Sequence, residues 1–78
     1  MRDKIPKEEI LKWLLKIKKE LKDVKVKNEK GKEYLENINA YVSDCEHFLN
    51  KEDFFLSWEC CLWAHAYLTI SKDLRLLE

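Results

Sequence analysis

The groups in this sequence best suited to chemistry are three cysteine thiols and two histidine imidazoles. Cys61 and His65 are four residues apart, so on a helix both would project from the same face. Cys45 belongs to an earlier apolar stripe and could meet them, giving two thiolates and an imidazole, a zinc-ligand set that lacks its fourth member. Buried cysteine, however, often behaves as a small apolar side chain. We therefore expect Cys45, Cys61 and His65 to pack in a core with no cofactor, and a metal or thiol site there is the second alternative function.

Lysines form a second set of groups with a chemical use. Four of them share one face of the first predicted helix: Lys12, Lys16, Lys19 and Lys22. Such a face could neutralise the phosphates of RNA or DNA, with an affinity that falls steeply as salt rises. Arginine, the usual reader of base edges, is nearly absent, and Trp13 is the only aromatic residue among the lysines. The pattern favours a solvated face, and a nucleic-acid-binding accessory protein is the first alternative function.

Acids, bases and nucleophiles do not combine into a catalytic motif in this sequence. It has no glycine-rich phosphate loop, and no Ser-His-Asp arrangement follows from the spacing. Glu59 is a lone acid among apolar residues, and we expect it at the edge of a bundle, facing water or a lysine. The sequence predicts a protein that is not an enzyme.

Composition indicates which elements must position these groups. The chain has 78 residues, of which 46% are hydrophobic, with one glycine and one proline. So few turn residues are untypical of a many-stranded β fold, which leaves an all-α fold as the default. One domain over residues 1–78 would bury only about 60% of its unfolded surface, and association with another chain is a common way to add stability.

Periodicity predicts three helices, over about residues 6–25, 31–50 and 53–74. The first begins at Pro6, because proline suits the first helical position. Asn28 and Gly31 tolerate the left-handed backbone of helix ends and mark the loop that follows. Asp53 can cap the third helix, which ends in a frayed tail over residues 75–78. The short connections predict an antiparallel up-down-up three-helix bundle.

The first predicted helix is amphipathic. Ile10, Leu14, Ile17, Leu21 and Val24 recur at four-three spacing. Leu11 and Leu15 widen this apolar stripe, and lysines fill the opposite face.

The third predicted helix has almost no polar face. Its eighteen residues from Phe54 to Ser71 hold one formal charge, Glu59. The length is close to the minimum for a membrane span, but Glu59 and His65 fall inside it, and the two amphipathic helices need an apolar partner. We therefore expect no membrane crossing. The helix should instead be the most buried element, covered on nearly all sides.

Self-association would cover the apolar surface of the third helix that two neighbouring helices cannot reach. Exposed apolar surface on that scale usually marks an interface. The predicted interface residues are Leu56, Trp63 and Tyr67. The leading function is accordingly a helical protein-interaction module of unknown process that forms a homodimer through the third helix and can accept another protein partner.

Charge is distributed unevenly, although it sums to zero. Residues 1–33 carry a net charge of +5 and residues 34–78 a net charge of −5. This asymmetry can serve attraction within the fold, head-to-tail association or an anionic partner.

Cysteine usage bears on the compartment. An odd number of cysteines, with Cys60 adjacent to Cys61, makes a poor disulfide framework and suits a reducing cytoplasm. The sequence does not open with the pattern of a signal peptide, so we expect a cytoplasmic protein.

Within the second and third helices, residues at fixed offsets resemble a known family. They are Tyr41, Ser43, Asp44, Phe48, Leu49, Lys51, Asp53, Phe54, Trp58, Ala64, Ala66 and Leu68. Over about residues 34–70 the pattern resembles a small archaeal helical family, domain of unknown function 357. The resemblance implies an archaeal cytoplasmic helical bundle and carries over no activity and no catalytic residue.

Two places depart from that family's pattern. Glu52 stands where members typically have glycine, which bears on the tightness of the turn between the second and third helices. Ala66 and Thr69 stand where members tend to have a Gly-x-x-Asp pattern, so any role of that aspartate is absent from this chain.

Overall fold

Three helices joined by short segments make up most of the chain. The computed structural model describes residues 6–78. Its helices are α1 (Lys7–Leu21), α2 (Glu29–Asn50) and α3 (Phe54–Asp73). Within the described residues, extended backbone is paired only at one antiparallel bridge, between Val26 and Leu77. The predicted all-α three-helix bundle is confirmed, and the part of the predicted domain before residue 6 lies outside the described residues.

Contacts between side chains establish the direction of each helix. The Cys45 thiol of α2 lies 3.3 Å from the Ser57 hydroxyl near the start of α3. Tyr34, near the start of α2, contacts Tyr67 near the end of α3, so these two helices are antiparallel. The Trp13 and His65 rings meet near the middle of α1 and α3, and Glu20 near the end of α1 pairs with Lys72 near the end of α3, so these two helices are parallel. The topology is therefore up-down-up, as predicted.

The first helix is shorter than its periodicity predicted. It begins after Pro6, as expected, but it ends at Leu21 and not near residue 25. Residues 25–27 are extended instead and pair with residues 76–78 at the end of the chain. The backbone N–H of Lys25 donates to the carbonyl of Glu78 at 2.8 Å, and Lys27 donates to Leu76 at 3.0 Å. These non-local hydrogen bonds replace the last turn of the predicted helix.

The predicted frayed tail is wrong for the same reason. Leu77 is only 2% exposed and belongs to the core. The backbone N–H of Glu78 returns a hydrogen bond to the carbonyl of Lys25 at 2.9 Å, so the tail is held on both sides of Leu77. Burial of one leucine side chain is worth about 2 kcal/mol, which favours an ordered tail.

Gly31 has a different role from the predicted one. Asn28 is the N-cap of α2, and its side chain accepts a hydrogen bond from the Gly31 N–H at 2.9 Å, so the helix begins at Glu29 and not at residue 31. Gly31 has no left-handed backbone. A Cβ atom there would overlap the carbonyl oxygen of Leu76. Glycine is therefore required because the tail crosses the first turn of α2 at close range.

The turn between α2 and α3 is tight even though it contains no glycine. Glu52 adopts a left-handed conformation with φ of 61°. Asp53 donates its N–H to the carbonyl of Phe48 at 2.9 Å, and Glu52 donates to Leu49 at 3.0 Å, which is the Schellman pattern of a helix end. The Asp53 carboxylate then accepts from the N–H of Leu56 at 3.2 Å, so it caps α3 as predicted.

The core lies mainly between α2 and α3, which pack along most of their lengths, while α1 contacts α3 more than α2. The face that α3 buries is made of small and medium side chains: Ser57, Cys61, Ala64, Leu68 and Ser71. Their size allows α3 to approach α2 closely. Each buried serine has a backbone acceptor, with Ser57 donating to Cys45 at 2.8 Å and Ser71 donating to Tyr67 at 2.6 Å.

This packing contradicts the expectation that α3 is covered on nearly all sides. Phe55, Leu62, Trp63 and Ile70 are 46–66% exposed. These four bulky side chains point outward because smaller ones occupy most of the buried face of α3. Within residues 6–78, none of the helices has the length and apolar character needed to cross a bilayer.

Candidate interaction surfaces

A cluster of exposed apolar side chains lies on α3. We define the α3 outer face as six residues: Phe55, Glu59, Leu62, Trp63, Ala66 and Ile70. Four of them recur at four-three-four spacing from Phe55 to Ala66, which places them on one stripe of the helix. Glu59 is exposed, as expected, and is the only charged member of the face. The surface can therefore make apolar contacts along about three helical turns.

Trp63 is held in place by an aromatic ladder that links α3 to α2. The ladder consists of Tyr34, Tyr67, Tyr41 and Trp63. The Tyr41 ring stacks on the rings of Tyr67 and Trp63, with centroid distances of 5.6 and 6.2 Å. The Tyr34 ring meets that of Tyr67 edge-on, with a centroid distance of 5.7 Å. Trp63 occupies the outer end and remains 52% exposed.

The three predicted interface residues therefore differ in how much of each side chain is exposed and could contact a partner. Trp63 is exposed, Tyr67 is partly buried within the ladder, and Leu56 is partly buried. Sequence reasoning missed Phe55 and Leu62 as surface residues. Their exposure could have been inferred from the small residues at positions 57, 61 and 64. Small residues at helical spacing mark the side of a helix that packs closely on a neighbour, so the opposite side faces outward.

The predicted lysine stripe lies along a groove beside α1. We call this the lysine groove, a depression of about 800 Å³. Its lining consists of Leu11, Lys12, Leu14, Leu15, Lys16, Lys18, Lys19, Lys22 and Glu46. All four lysines of the predicted anionic-partner face are brought together here. Leu11 and Leu15, expected to widen the core stripe, are 40% and 68% exposed in the groove because α1 turns its core face toward α3.

Two lysines of the groove have visible partners. Lys18 Nζ lies 2.6 Å from Glu46 Oε2 of α2. Lys16 Nζ lies 4.8 Å from the centroid of the Trp13 ring, a cation–π contact. The indole N–H of Trp13 donates to the Glu9 carboxylate at 3.2 Å. Part of the charge asymmetry of the sequence thus serves attraction within the fold.

The cysteines of the predicted thiol or metal site lie in the core. Cys45 and Cys61 are 0% and 2% exposed and hydrogen-bonded to each other. That hydrogen bond from Cys61 is the main reason why the pKa of Cys45 falls to about 7, and the same bond, together with burial, raises the pKa of Cys61. The two thiols therefore lie together in the core as a packed polar pair.

His65 does not complete this pair as a ligand set. Its ring lies 5.5 Å from that of Trp13 in an edge-on arrangement. Across the described part of the chain, no three His, Cys, Asp or Glu side chains are grouped so that they could hold a metal ion. The structure thus brings Cys45 and Cys61 together and directs His65 toward α1.

Comparison with known proteins identifies the family of this fold. The model of the family DUF357, described as a protein of unknown function, matches residues 12–77. The chain is also similar to the crystal structure of protein AF1782 from Archaeoglobus fulgidus, a DUF357 protein, with 35% identity and a TM-score of 0.84 over 92% of this chain and 90% of that one. Comparison with curated proteins gives no match. The resemblance seen in the sequence is confirmed, and it extends well beyond residues 34–70.

Proposed function

The chain belongs to the DUF357 family, and we propose that it is a non-enzymatic interaction module that forms a homodimer through the α3 outer face. The observation that supports this most strongly is the orientation of α3. Its buried side chains are mostly small, and four of its large apolar side chains remain 46–66% exposed: Phe55, Leu62, Trp63 and Ile70. A continuous apolar face of this kind on a small protein usually marks an interface.

A second copy is a suitable partner because the α3 outer face can meet itself. A twofold contact uses the same surface on both subunits, so the surface must not confront many like charges. Glu59 is its single charge. If two α3 helices cross in antiparallel fashion at Ala66, the two Glu59 positions are about 21 Å apart at 1.5 Å per residue. That separation exceeds the screening length at physiological salt, so the carboxylates repel each other little.

Trp63 is the expected centre of the contact. Tryptophan is enriched among the residues that dominate binding energy at interfaces. Stacking on Tyr41 and a tilted contact with Tyr67 already restrict its ring, so less conformational entropy is lost when a partner covers it. Leu56 and Tyr67, both partly buried, would lie at the border of the contact. The small Ala66 would let the two helices approach closely.

Light scattering on a sizing column, at two protein and two salt concentrations, tests this proposal. We expect twice the mass of one chain for the unmodified protein and the mass of one chain for Trp63→Glu. Leu15→Glu is the matched control, because Leu15 is similarly exposed but lies on α1; it should remain a dimer. Ile70→Glu provides a second disruption if Trp63→Glu loses helicity by circular dichroism. A monomeric unmodified protein at every concentration would refute the dimer.

A cytoplasmic setting fits this module. Cys45, Cys60 and Cys61 are all free thiols, and two of them are buried. Free thiols persist where glutathione and thioredoxin keep cysteine reduced.

A further inference from the structure

The lysine groove combines apolar and basic character in one place. Leu11 and Leu15 supply exposed apolar surface, and the buried Leu14 lies beneath them. Five lysines surround these leucines, against one carboxylate, that of Glu46. Among residues 6–78, Lys18 is the only one of the five with a carboxylate within ion-pair distance. The groove therefore presents mostly uncompensated positive charge around an apolar centre.

The groove exists because α1 leans toward α3. Trp13 packs on His65, and Glu20 pairs with Lys72 of α3 at 3.5 Å. On the other side, α1 makes fewer contacts with α2, and among residues 6–78 one ion pair, between Lys18 and Glu46, links the two helices, with both side chains more than 40% exposed. An exposed ion pair of this kind holds two helices together only weakly. The space beside α1 is thus left open along the helix.

We propose that the lysine groove binds an acidic amphipathic helix from another protein. Apolar side chains of that helix would pack on Leu11 and Leu15, and its flanking Glu or Asp residues would meet Lys12, Lys19 and Lys22. Helices that lie in apolar grooves are a common mode of recognition, with anchors at helical spacing. The basic rim supplies selectivity, because it attracts an acidic helix and repels a basic one.

Nucleic acid fits the groove less well. Phosphates would satisfy the lysines but would leave the two exposed leucines without an apolar partner. Trp13 is the only aromatic side chain on α1, and its ring is already engaged by Lys16 and His65. Bases would therefore find no free ring on α1 for stacking.

A second copy of this chain fits less well too. The exposed acids of α2 lie on its outward stripe: Glu29, Glu33, Glu36 and Asp44. They could match the lysines in charge, but the only apolar residue among them on that stripe is Ala40. A different protein with larger apolar anchors suits Leu11 and Leu15 better. The groove is on another helix than the α3 outer face, so this proposal does not depend on the dimer.

A pair of synthetic peptides tests the groove. The first is a fluorescently labelled helix of about five turns, with leucines at helical spacing on one face and glutamates beside them. The second has the same composition, with its leucines spread around the helix. We expect the first to bind about tenfold more tightly by fluorescence anisotropy, because only it can place apolar anchors and carboxylates together. Backbone amide shifts of the isotope-labelled protein should cluster on α1.

Variants of the protein make this test specific. Leu15→Glu should weaken binding of the first peptide by at least about tenfold, and Lys19→Ala should weaken it less and reduce its salt dependence. Lys32→Ala, outside the groove, and Trp63→Glu, on the α3 outer face, should leave binding unchanged. Circular dichroism of each variant separates lost binding from lost folding.

Several results would overturn the proposal. Equal binding of both peptides would reduce the groove to a general surface for polyanions. Tighter binding of duplex or single-stranded nucleic acid, in competition with the peptide, would assign it to nucleic acid. Co-sedimentation with anionic lipid vesicles that requires Leu15, without peptide binding, would assign it to a membrane surface. Amide shifts confined to α2 or α3 would place any peptide site elsewhere.

Discussion

The outer surfaces of α1 and α3 expose apolar side chains to a similar degree but in opposite electrostatic settings. Leu15 on α1 is 68% exposed and Phe55 on α3 is 66% exposed. Five lysines surround Leu15 in the lysine groove, whereas Glu59 is the single charge on the α3 outer face. A face with a single charge can meet its own copy, whereas a face with several charges of one sign needs a partner of the other sign. The neighbours of an exposed apolar residue therefore decide which partner it suits.

The largest expected effect is a loss of folding stability, because both surfaces depend on the same core. Leu68 is 2% exposed on the inner side of α3. Leu68→Ala should lower the free energy of unfolding by about 2–5 kcal/mol, because it leaves a cavity in a small core. Urea denaturation measures this, and dimerisation and peptide binding should fail together. Leu62→Ala is the matched control on the outer side of α3 and should cost much less. Equal losses from the two substitutions would contradict the assigned orientation of α3.

The next effect separates the two surfaces. Trp63→Ala should weaken the dimer by about 2 kcal/mol, which is about thirtyfold in the dissociation constant, since it removes the expected centre of the contact. Analytical ultracentrifugation measures the change. Leu15→Ala should leave the dimer intact. Raising salt should likewise spare the dimer and weaken peptide binding in the groove, because only the groove relies on exposed charge. A dimer that dissociates in salt would place the lysines in its interface.

A smaller loss of stability should come from Gly31→Ala, which disturbs the C-terminal tail and leaves the dimer contact on α3 unchanged. In Gly31→Ala the new methyl group meets the Leu76 carbonyl, so the tail must move. We expect a loss of about 1–3 kcal/mol in unfolding free energy, as for overpacking elsewhere. Hydrogen exchange of the Lys25 and Glu78 amides should become faster, because those amides bond across the tail. Lys30→Ala, one residue earlier and exposed, is the control. A dimer weakened by Gly31→Ala would link the tail to the α3 outer face.

The smallest expected effect is a gain in stability from Glu52→Gly, with no change in dimerisation or peptide binding. Glu52 has a φ of 61°, a conformation that costs a residue with a side chain about 1–2 kcal/mol and glycine almost nothing. Glu52→Gly should therefore raise the free energy of unfolding by up to about 1 kcal/mol, measured by thermal or urea denaturation. Glu36→Gly, in the middle of α2, is the control and should lower it by about 1 kcal/mol. A neutral or destabilising Glu52→Gly would mean that the turn gains from the glutamate.

Local patterns were sufficient to predict the three helices, their topology and the capping of α3 by Asp53. They were insufficient where distant segments meet. The end of α1 and the order of the tail depend on hydrogen bonds between residues 25–27 and 76–78, and no local signal in either segment reveals them. The left-handed backbone of Glu52 agrees with the family pattern of glycine there, although the residue itself gives no sign of it.

The candidate surfaces were predicted unequally. The lysines were found because charge at helical spacing is visible in a sequence. The outward direction of Leu62 was not, because α3 is apolar all round and periodicity cannot identify its inner face. That choice is made by the fit of Ser57, Cys61 and Ala64 against α2, which is a matter of side-chain volume. The exposure of Leu11 and Leu15 was not predicted either. It depends on how α1 leans toward α3, and that is set by tertiary packing.

The division of α3 into a small-residue inner side and a bulky outer side has an evolutionary consequence. Substitutions at Ala64 or Ser57 toward larger residues would force α2 and α3 apart, so purifying selection should hold those positions small. At Leu62 or Ile70 a change of residue leaves the core untouched. On the outer side of this helix, by contrast, residue changes can accumulate by drift while the bundle beneath persists.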